Sequence, residues 1–549
     1  MAENIDHLLR AAWAPGDAHG DNLPARSLQW LSARTGRPDA GAGLGGTARP
    51  VPVSGLPPAA RAALASVVGD SYVLCGDADR LGRSGGLSYL DLLRQRGAGG
   101  LAVPDAVVVP ADPAQVQRVV EVCVEHDVAL VPFGGGTSVV GGVAALRGGK
   151  CAVVVLDLMR LDHLLSVDPV SRLAVFQAGV RAPDAERMLR ARGLTLGHLP
   201  QSFERATIGG FAATRSAGQA SSGYGRFEDM VAAVRVATPR GEWRLGVAPA
   251  SAAGPDLRAL LVGSEGSLGV LTEVTVRVRP APEIERYEGF VLDGWARGSE
   301  AVRELAQRRV LADVTRLSDM DETEVSLALK GGWRSAALRG YLRRRGVVDP
   351  CLLVLGWHAR SKRELGGRRA ETLRVLRSHS PVRAGRALGE AWRRSRFAGP
   401  RQRDRLMDAG VCVETLETAT YWSTLTELRA AVRAALTEAL TERGREPVIM
   451  CHVSHAYETG ASLYFTVLIP RAAEDPVGQW ERAKAAACAA ISGHAGGALG
   501  TISHHHGLGV DHAPYLAAEI GELGVEVLRR LKSTLDPTGI LNPGKLLDP

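Results

Sequence analysis

Residues 132–142, PFGGGTSVVGG, decide the fold because three successive glycines follow an apolar segment. The preceding residues 128–132, VALVP, predict a buried β-strand that runs directly into the glycines. Residues without a Cβ adopt positive φ and let several backbone N–H groups converge on one point. Thr137 and Ser138 add two hydroxyl donors. The segment therefore predicts an anion-binding loop, with a plain turn as the alternative.

The chemistry of this loop favours a pyrophosphate. A P-loop ends in G-K-[ST], and its lysine reaches the β- and γ-phosphates of a nucleotide. No lysine follows the glycines of residues 134–136 before the next glycine pair. A dinucleotide is therefore favoured over ATP.

The flanking segments predict a βαβ unit and further strands. Residues 105–110, DAVVVP, predict a strand, and the following helix has Asp112 as N-cap and Pro113 in its first turn. Periodic apolar patterns predict more strands within residues 151–158, 173–180 and 269–280, and a hairpin within residues 230–246.

Two more segments combine glycines with hydroxyl groups. They are residues 199–218, LPQSFERATIGGFAATRSAG, and residues 262–273, VGSEGSLGVLTE. Together with the first loop, they could enclose one large, flat ligand that carries phosphate. Residues 104–280 therefore predict one α+β block.

Composition excludes several classes of protein. The 549 residues are 45% apolar, which excludes wholesale disorder, and no apolar run approaches the ~18–20 residues that span a bilayer. Seven cysteines without a C-x-x-C pair favour a reducing compartment over a disulfide framework. We see no secretory signal and expect a cytoplasmic protein.

The net charge of +7 is concentrated in the arginine-rich residues 334–405. A solvated helix face is the simplest interpretation. Peripheral docking to an anionic membrane and binding of an acidic substrate are the alternatives. Few aromatic residues are interleaved, so we expect no nucleic-acid partner. A homodimer is an open alternative to a monomer.

Four motifs in order carry a resemblance to a known superfamily: residues 132–142, residues 207–230, VGSEGSLGVLTE and the terminal LDPTGILNPGK. The chain resembles the PCMH-type, or vanillyl-alcohol-oxidase, superfamily of FAD enzymes. The resemblance implies an α+β fold, in which a PCMH-type FAD-binding domain of two α+β subdomains carries an α+β cap. It implies the following division: an N-terminal helical and loop region 1–100, an FAD-binding domain 101–282, a cap or substrate domain 283–500, and a C-terminal segment 501–549 whose histidine loop returns to the FAD domain.

The resemblance also implies the cofactor contacts. We expect FAD to be bound non-covalently, because neither His163 nor Cys151 matches a covalent anchor position. The implied contacts are Pro132, Phe133, Gly134, Gly135, Gly136, Thr137, Ser138, Gln201, Ser202, Thr207, Gly210, Thr214, Ser216, Gly263, Glu265, Gly266 and Gly269.

Within the superfamily, SHHHGLG, VTRLSD and HVSHAYETGASLYFTV are similar to the alkyldihydroxyacetonephosphate synthase family. This similarity implies Tyr464 as acid or base and Arg316 as a second catalytic residue. It implies Arg403 as substrate-binding and the triple histidine 504–506 as catalytic.

The residues themselves leave alternatives open at these positions. In an alternating strand Leu463 and Phe465 face one way and Tyr464 the other, so Tyr464 is either a core residue or a proton carrier whose pKa nearby cations lower. Arg316 and Arg403 could instead form ordinary salt bridges, for which Glu414, Glu417 and Asp404 are natural partners.

The histidines of residues 501–511, TISHHHGLGVD, have three interpretations. His504 and His506 could converge on zinc, but further ligands could come only through folding, from His452, His455 or His494, and we expect no metal. A flexible surface tract is the second interpretation. We favour acid–base work or phosphate contact beside a flavin, because imidazole titrates near pH 7 and the glycines allow close approach.

The function implied by the resemblance is ether-lipid formation. An FAD-dependent enzyme would exchange the acyl group of acyl-dihydroxyacetone phosphate for a long-chain alcohol through a flavin N5 adduct. The alternative is an FAD-linked oxidase or dehydrogenase of a 2-hydroxy acid or an alcohol. A non-catalytic flavin-binding or membrane-docking protein is the third hypothesis.

Overall fold

The computed structural model of the chain describes residues 5–15, 25–37, 51–330, 332–442, 444–493 and 497–547. His494 lies outside the described residues. The described helices are α1 Ala25–Thr35, α2 Pro58–Val68, α3 Asp77–Leu81, α4 Tyr89–Gln95, α5 Pro113–Glu125, α6 Ala182–Arg190, α7 Ile208–Thr214, α8 Ser221–Tyr224, α9 Phe227–Met230, α10 Arg258–Leu261, α11 Trp295–Gln307, α12 Met320–Lys330, α13 Gly332–Arg344, α14 Lys362–Leu376, α15 Arg386–Ser395, α16 Gly399–Asp408, α17 Leu425–Leu440, α18 Pro476–Ser492 and α19 Leu516–Leu535.

The first sheet contains the predicted βαβ unit. Its strands are β1 Val73–Leu74, β2 Ala106–Val108, β3 Val128–Phe133 and β4 Ala152–Asp157, in the order β1-β2-β4-β3. Strands β2 and β3 both run parallel to β4, with α5 as the crossover. The predicted N-cap of α5 is confirmed, because the Asp112 carboxylate accepts the backbone N–H of Gln115 at 2.9 Å. This sheet ends at the glycine loop, which follows β3 directly.

The second sheet is antiparallel and follows in the chain. The strands of this region are β5 Leu164–Asp168, β6 Leu173–Gln177, β7 Leu194–Thr195, β8 Val231–Thr238, β9 Gly241–Leu245, β10 Val270–Arg277 and β11 Arg279–Pro280. Five of them form a sheet in the order β5-β6-β10-β8-β9, and β7 pairs with β11. The predicted hairpin is confirmed as β8 and β9. The second glycine segment connects β7 to β8, and the third enters β10.

The third sheet has seven strands and is the largest of the described sheets. Its strands are β12 Ile284–Asp293, β13 Val314–Ser318, β14 Pro350–Ala359, β15 Val382–Gly385, β16 Val411–Tyr421, β17 Val448–Val453 and β18 Gly460–Pro470. All pairs are antiparallel, in the order β15-β12-β14-β13-β17-β18-β16. Buried Leu463 and Phe465 of β18 join the apolar core on one face, as alternation predicts. The α+β class is therefore confirmed.

The C-terminal residues pack against the first sheet. The backbone N–H of Leu130 in β3 donates to the Ile540 carbonyl at 2.8 Å, and the Asn542 N–H donates to the Leu130 carbonyl at 2.8 Å. Helix α19 precedes this terminal segment and is kinked at Gly521, where φ is +73°. The chain end therefore braces the strand that carries the glycine loop.

No helix in the described part of the chain is both long and apolar enough to cross a membrane. The arginine-rich residues 334–405 lie on α13 to α16 and their connections, which pack on the third sheet.

The buried Asp536 carboxylate holds the turn that leads α19 into this terminal segment. It accepts the Lys532 ammonium at 2.8 Å and the Leu541 N–H at 2.8 Å. Asp536→Ala leaves a largely buried ammonium without its counter-ion, and we expect a loss of about 3 kcal/mol. Calorimetry should show a lower Tm for the variant. Glu522→Ala, at an exposed position of the same helix, is the control, and an unchanged Tm for Asp536→Ala would contradict the assignment.

Candidate active site

The three glycine segments and the third sheet enclose one cavity of about 530 Å³. Every residue that the sequence assigned to the cofactor lines it except Gly263. Arg316, Arg403, Tyr464, His505 and His506 also line it, so the cofactor loops and most of the predicted catalytic residues face the same space.

Close backbone packing explains the glycines of the first loop. A Cβ on Gly134 would lie 2.3 Å from the Thr207 hydroxyl oxygen, and one on Gly135 would lie 2.3 Å from the Arg205 carbonyl oxygen. Real Cβ atoms do not approach other atoms so closely. Gly136 has φ +60°, which side chains disfavour. The first and second segments therefore pack closely together, and the glycines of the loop line the cavity.

The third segment completes the enclosure from another side. A Cβ on Gly266, at φ +78°, would lie 2.8 Å from the Pro132 ring. The residue before it, Glu265, is 7% exposed, lines the cavity and also has positive φ. Gly263 does not line the cavity, because the Arg215 side chain covers it.

The donor set fits a dinucleotide. The loop of residues 134–138 lines the cavity, where Thr137 and Ser138 add hydroxyls to the backbone of the glycines. Thr207 caps α7 by accepting the Gly210 N–H at 3.3 Å. These residues would hold the FAD pyrophosphate by uncharged donors.

On the opposite wall, Tyr464 stands among histidines. Its ring stacks on His452 at 4.8 Å and on His505 at 6.1 Å between centroids, and His506 meets it edge-on at 5.6 Å. Strand register explains the first contact, because His452 of β17 and Tyr464 of β18 are paired. The phenol and two imidazoles of the histidine loop therefore share one surface of the cavity.

The pKa expected for Tyr464 from the sequence was wrong in direction. Burial raises the pKa of Tyr464 to about 12, and Arg403 and a hydrogen bond with Thr415 only partly oppose this. The nearby carboxylates Glu414 and Glu417 raise the pKa further. The phenol is therefore neutral at pH 7 in this structure.

Two buried carboxylates hold the histidine loop. Glu417 of β16 accepts the backbone N–H groups of His504, His505 and His506 at 2.9–3.1 Å. Glu265 accepts those of Leu508 at 2.6 Å and Gly509 at 2.9 Å. The loop is therefore ordered and bound at both ends, which contradicts the flexible-tract alternative.

Glu417 is a buried, charged neighbour of the imidazoles. Its carboxylate lies 3.3 Å from Nδ1 of His505 and is 1% exposed. Burial by itself would raise the pKa of Glu417, but the His505 imidazole and its hydrogen bond lower that pKa well below the ordinary range. The loop therefore packs on a carboxylate that stays ionised.

The expectation of titration near pH 7 was wrong for two of the histidines. Burial lowers the pKa of His506 to about 3, and burial together with His505 lowers the pKa of His504 well below its usual value. His504 does not line the cavity; its Nε2 lies 2.6 Å from the Tyr457 hydroxyl. Both imidazoles are neutral at pH 7.

The two arginines differ in their partners. Arg316 is committed to an internal cluster, since its guanidinium lies 2.6 Å from Glu322 and 3.0 Å from Nδ1 of His452. Arg403 donates to the Leu87 carbonyl at 2.7 Å, and its buried Nε has no hydrogen-bond partner. The sequence did not name Glu322, the partner of Arg316. Burial raises the pKa of Glu414, and the charge of Arg403 partly opposes that rise. The open donors of Arg403 fit an anionic ligand.

The sequence did not reveal that the N-terminal residues reach the site. Trp13 lines the cavity, and Arg10 donates to the Gly136 carbonyl at 2.8 Å. Arg205 of the second segment donates to the Trp13 carbonyl at 3.0 Å through its Nε. The sequence also missed Glu322, and it named His452 and His455 only as metal ligands that folding could supply; all three line the cavity. Only HVSH, whose histidines flank the end of β17, gave a local signal for two of them.

Comparison with known proteins agrees with this geometry. Residues 104–245 match the family model "FAD binding domain", and residues 281–546 match "FAD linked oxidases, C-terminal domain". The chain is 31% identical over 477 residues to the alkyldihydroxyacetonephosphate synthase of Dictyostelium discoideum, covering 85% of this chain and 77% of that protein.

Solved structures are also similar to this chain. One of alkyldihydroxyacetonephosphate synthase superposes with a TM-score of 0.80 at 27% identity, covering 95% of this chain and 92% of that chain. p-Cresol methylhydroxylase shares the fold alone, with a TM-score of 0.65 at 15% identity over 89% of this chain and 96% of that chain. The resemblance to the PCMH-type superfamily and the FAD cofactor are confirmed.

Gly135→Ala tests the packing of the cofactor loops. The added Cβ would meet the Arg205 carbonyl, so the first and second segments must separate. We expect the Kd of FAD, measured by flavin fluorescence on reconstitution, to rise at least tenfold, which corresponds to about 1.4 kcal/mol. Gly366→Ala, in helix α14 where nothing lies within 4 Å, should bind FAD like the unchanged protein. An unaltered Kd for Gly135→Ala would contradict the cradle.

Proposed function

The chain belongs to the family of FAD-dependent enzymes that includes the alkyldihydroxyacetonephosphate synthases. From this premise we propose that it exchanges the acyl group of acyl-dihydroxyacetone phosphate for a long-chain alcohol. The observation that carries this proposal is the shared cavity, in which the cofactor loops face Arg403 and Tyr464. A phosphate anchor, a proton carrier and an apolar wall therefore lie around one space.

Arg403 is the anchor that we propose for the substrate phosphate. Its guanidinium lines the cavity, donates to the Leu87 carbonyl at 2.7 Å and has a buried Nε without a hydrogen-bond partner. A buried guanidinium donor without a partner is costly, and a phosphate oxygen would satisfy it. Arg316, which is paired with Glu322, would instead orient His452 and keep that side of the cavity polar.

The hydrocarbon chain has a matching surface. Part of the cavity wall is apolar. Burying a methylene group there is worth about 0.8 kcal/mol, so such a wall favours long chains over short ones. Its side chains are Leu87, Val325, Leu406, Val413, Met450 and Leu468.

Tyr464 and His505 would handle the protons. FAD, when bound, supplies an electrophilic ring nitrogen that can react with the carbon of the substrate. Because Tyr464 is neutral, its hydroxyl would relay a proton from the three-carbon unit of the substrate to a neighbouring base. His505, whose Nδ1 lies 3.3 Å from the Glu417 carboxylate, would accept that proton.

The second candidate function is oxidation of a 2-hydroxy acid or an alcohol. The matched family model, which describes FAD-linked oxidases, favours it, and Arg403 would then hold a carboxylate. The two functions differ in what happens to electrons. A lasting loss of oxidised-flavin absorbance with substrate indicates oxidation, whereas the exchange leaves the flavin oxidised at the end of each cycle.

The exchange is tested with isotope-labelled long-chain alcohol and acyl-dihydroxyacetone phosphate. We expect the label in an ether-linked product, one fatty acid released per ether formed, and no net flavin reduction. Release of fatty acid without label incorporation, or lasting flavin reduction by a 2-hydroxy acid together with no ether product, would overturn the proposal.

We also propose a cytoplasmic location with peripheral membrane contact. The exposed arginines of residues 334–405, such as Arg343, Arg344 and Arg374, could dock on anionic lipid from which the substrates are drawn. A homodimer also remains a proposal.

Tyr464→Phe removes the phenol oxygen and keeps the ring stack with His452. We expect kcat for ether formation to fall by roughly 10²–10⁴, the range for a general acid or base, with flavin content unchanged. Tyr421→Phe, on the neighbouring strand β16 and 70% exposed, is the matched control. If Tyr464→Phe keeps the original kcat, the phenol carries no proton in the reaction.

Arg403→Met keeps much of the side-chain length and removes the charge. Because a hydrogen bond to a charged group contributes about 1.5–3 kcal/mol, KM for the phosphate-bearing substrate should rise at least tenfold. The KM for the alcohol should change less. Arg374→Met, at an exposed position of α14, is the control. Equal losses for both substrates would refute a phosphate-specific role.

A further inference from the structure

The fold brings together three histidines that are separate in the sequence. His455 follows β17, whereas His504 and His505 belong to the histidine loop, and each offers one ring nitrogen within 4.8 Å of the others. No metal was expected from the sequence, because further ligands could come only through folding. His455 is one of the residues that folding supplies.

The spacing of the nitrogens suits a small cation. Nδ1 of His504 and Nδ1 of His505 lie 2.9 Å apart. Two nitrogens on one tetrahedral zinc ion lie about 3.3 Å apart when each bond is about 2.0–2.1 Å. A shift of a few tenths of an ångström would therefore turn this pair into two ligands.

His455 supplies an independent observation that points to a bound ion. Its side chain is 4% exposed, its ring packs on His504 with centroids 5.0 Å apart, and its Nδ1 has no hydrogen-bond partner. A buried polar atom without a partner is unfavourable, and a metal ion would use that lone pair.

The surroundings supply the second sphere of a metal site. The Glu417 carboxylate lies 3.3 Å from Nδ1 of His505 and 3.9 Å from Nδ1 of His504, so it offers countercharge or a fourth ligand. The Tyr457 hydroxyl lies 2.6 Å from Nε2 of His504 and can accept its N–H, which frees Nδ1 for a cation. The nearby Arg226 is paired with Glu228 at 3.1 Å.

We propose that His455, His504 and His505, with Glu417, bind a divalent cation of the zinc class, and that occupancy inhibits the enzyme. Ligands of three imidazoles and one carboxylate are typical of zinc. His505 lines the cavity and is 15% exposed, which gives the ion an entrance. A cation bound to His505 would commit this imidazole to the metal and so remove it from the proton relay proposed above. The inhibition rests on the proposed function; the binding does not.

Binding is measured on the chelator-treated holoenzyme by competition for Zn²⁺ with a chromophoric indicator. We expect one zinc per chain with micromolar or tighter Kd. His455→Phe keeps the ring on His504 and removes the ligand, so Kd should rise at least tenfold. His163→Phe, at an exposed histidine away from the cavity, should keep the original Kd. Absence of micromolar binding, or equal Kd values for all three proteins, would overturn the site.

X-ray absorption of zinc-loaded unmodified protein decides the case even if His455→Phe fails to fold. We expect imidazole nitrogens at about 2.0–2.1 Å. A shell of oxygen alone would overturn the proposal. In the ether-formation assay, Zn²⁺ should inhibit reversibly, and a chelator should restore turnover. Full turnover with the site loaded would overturn the inhibitory part; absence of turnover without zinc would instead count against the proposed function.

Discussion

Two buried carboxylates on different parts of the fold hold one loop, and the geometry of the site depends on them. Glu417 belongs to the third sheet and takes the backbone N–H groups of the three histidines, while Glu265 belongs to the cofactor segment and takes those of Leu508 and Gly509. Each carboxylate is nearly inaccessible to water, so its hydrogen bonds are not exchanged for solvent. The histidine loop therefore connects the cofactor segment that contains Glu265 to the third sheet.

This arrangement divides the work between backbone and side chains. The wall for the cofactor consists of glycine loops whose packing excludes any Cβ, as at Gly135. The opposite wall of the cavity consists of side chains on β17, β18 and the histidine loop, where three imidazoles contact Tyr464.

The sequence predicted those parts of the site that depend on local chemistry. A missing Cβ at residues 134–136 is visible in the sequence, and so is the alternation that turns Tyr464 away from Leu463 and Phe465. It could not predict burial, and burial reverses the pKa direction expected for Tyr464 and makes His504 and His506 neutral. Nor could it predict pairings set by tertiary packing: Glu417 is 87 residues from His504, and Arg10 is 126 residues from Gly136. Gly263 shows the opposite error, since a glycine within a cofactor motif turned out to be covered by Arg215.

The most direct measurement of the central claim, that one cavity presents a flavin to Tyr464 and His505, is a crystal structure of the FAD complex. The account predicts the FAD pyrophosphate within hydrogen-bond distance of the backbone N–H groups of residues 134–138. It also predicts the reactive edge of the ring system facing the Tyr464 hydroxyl and the His505 imidazole. A flavin bound outside these loops, or one whose ring system is separated from both side chains by the protein, would contradict it.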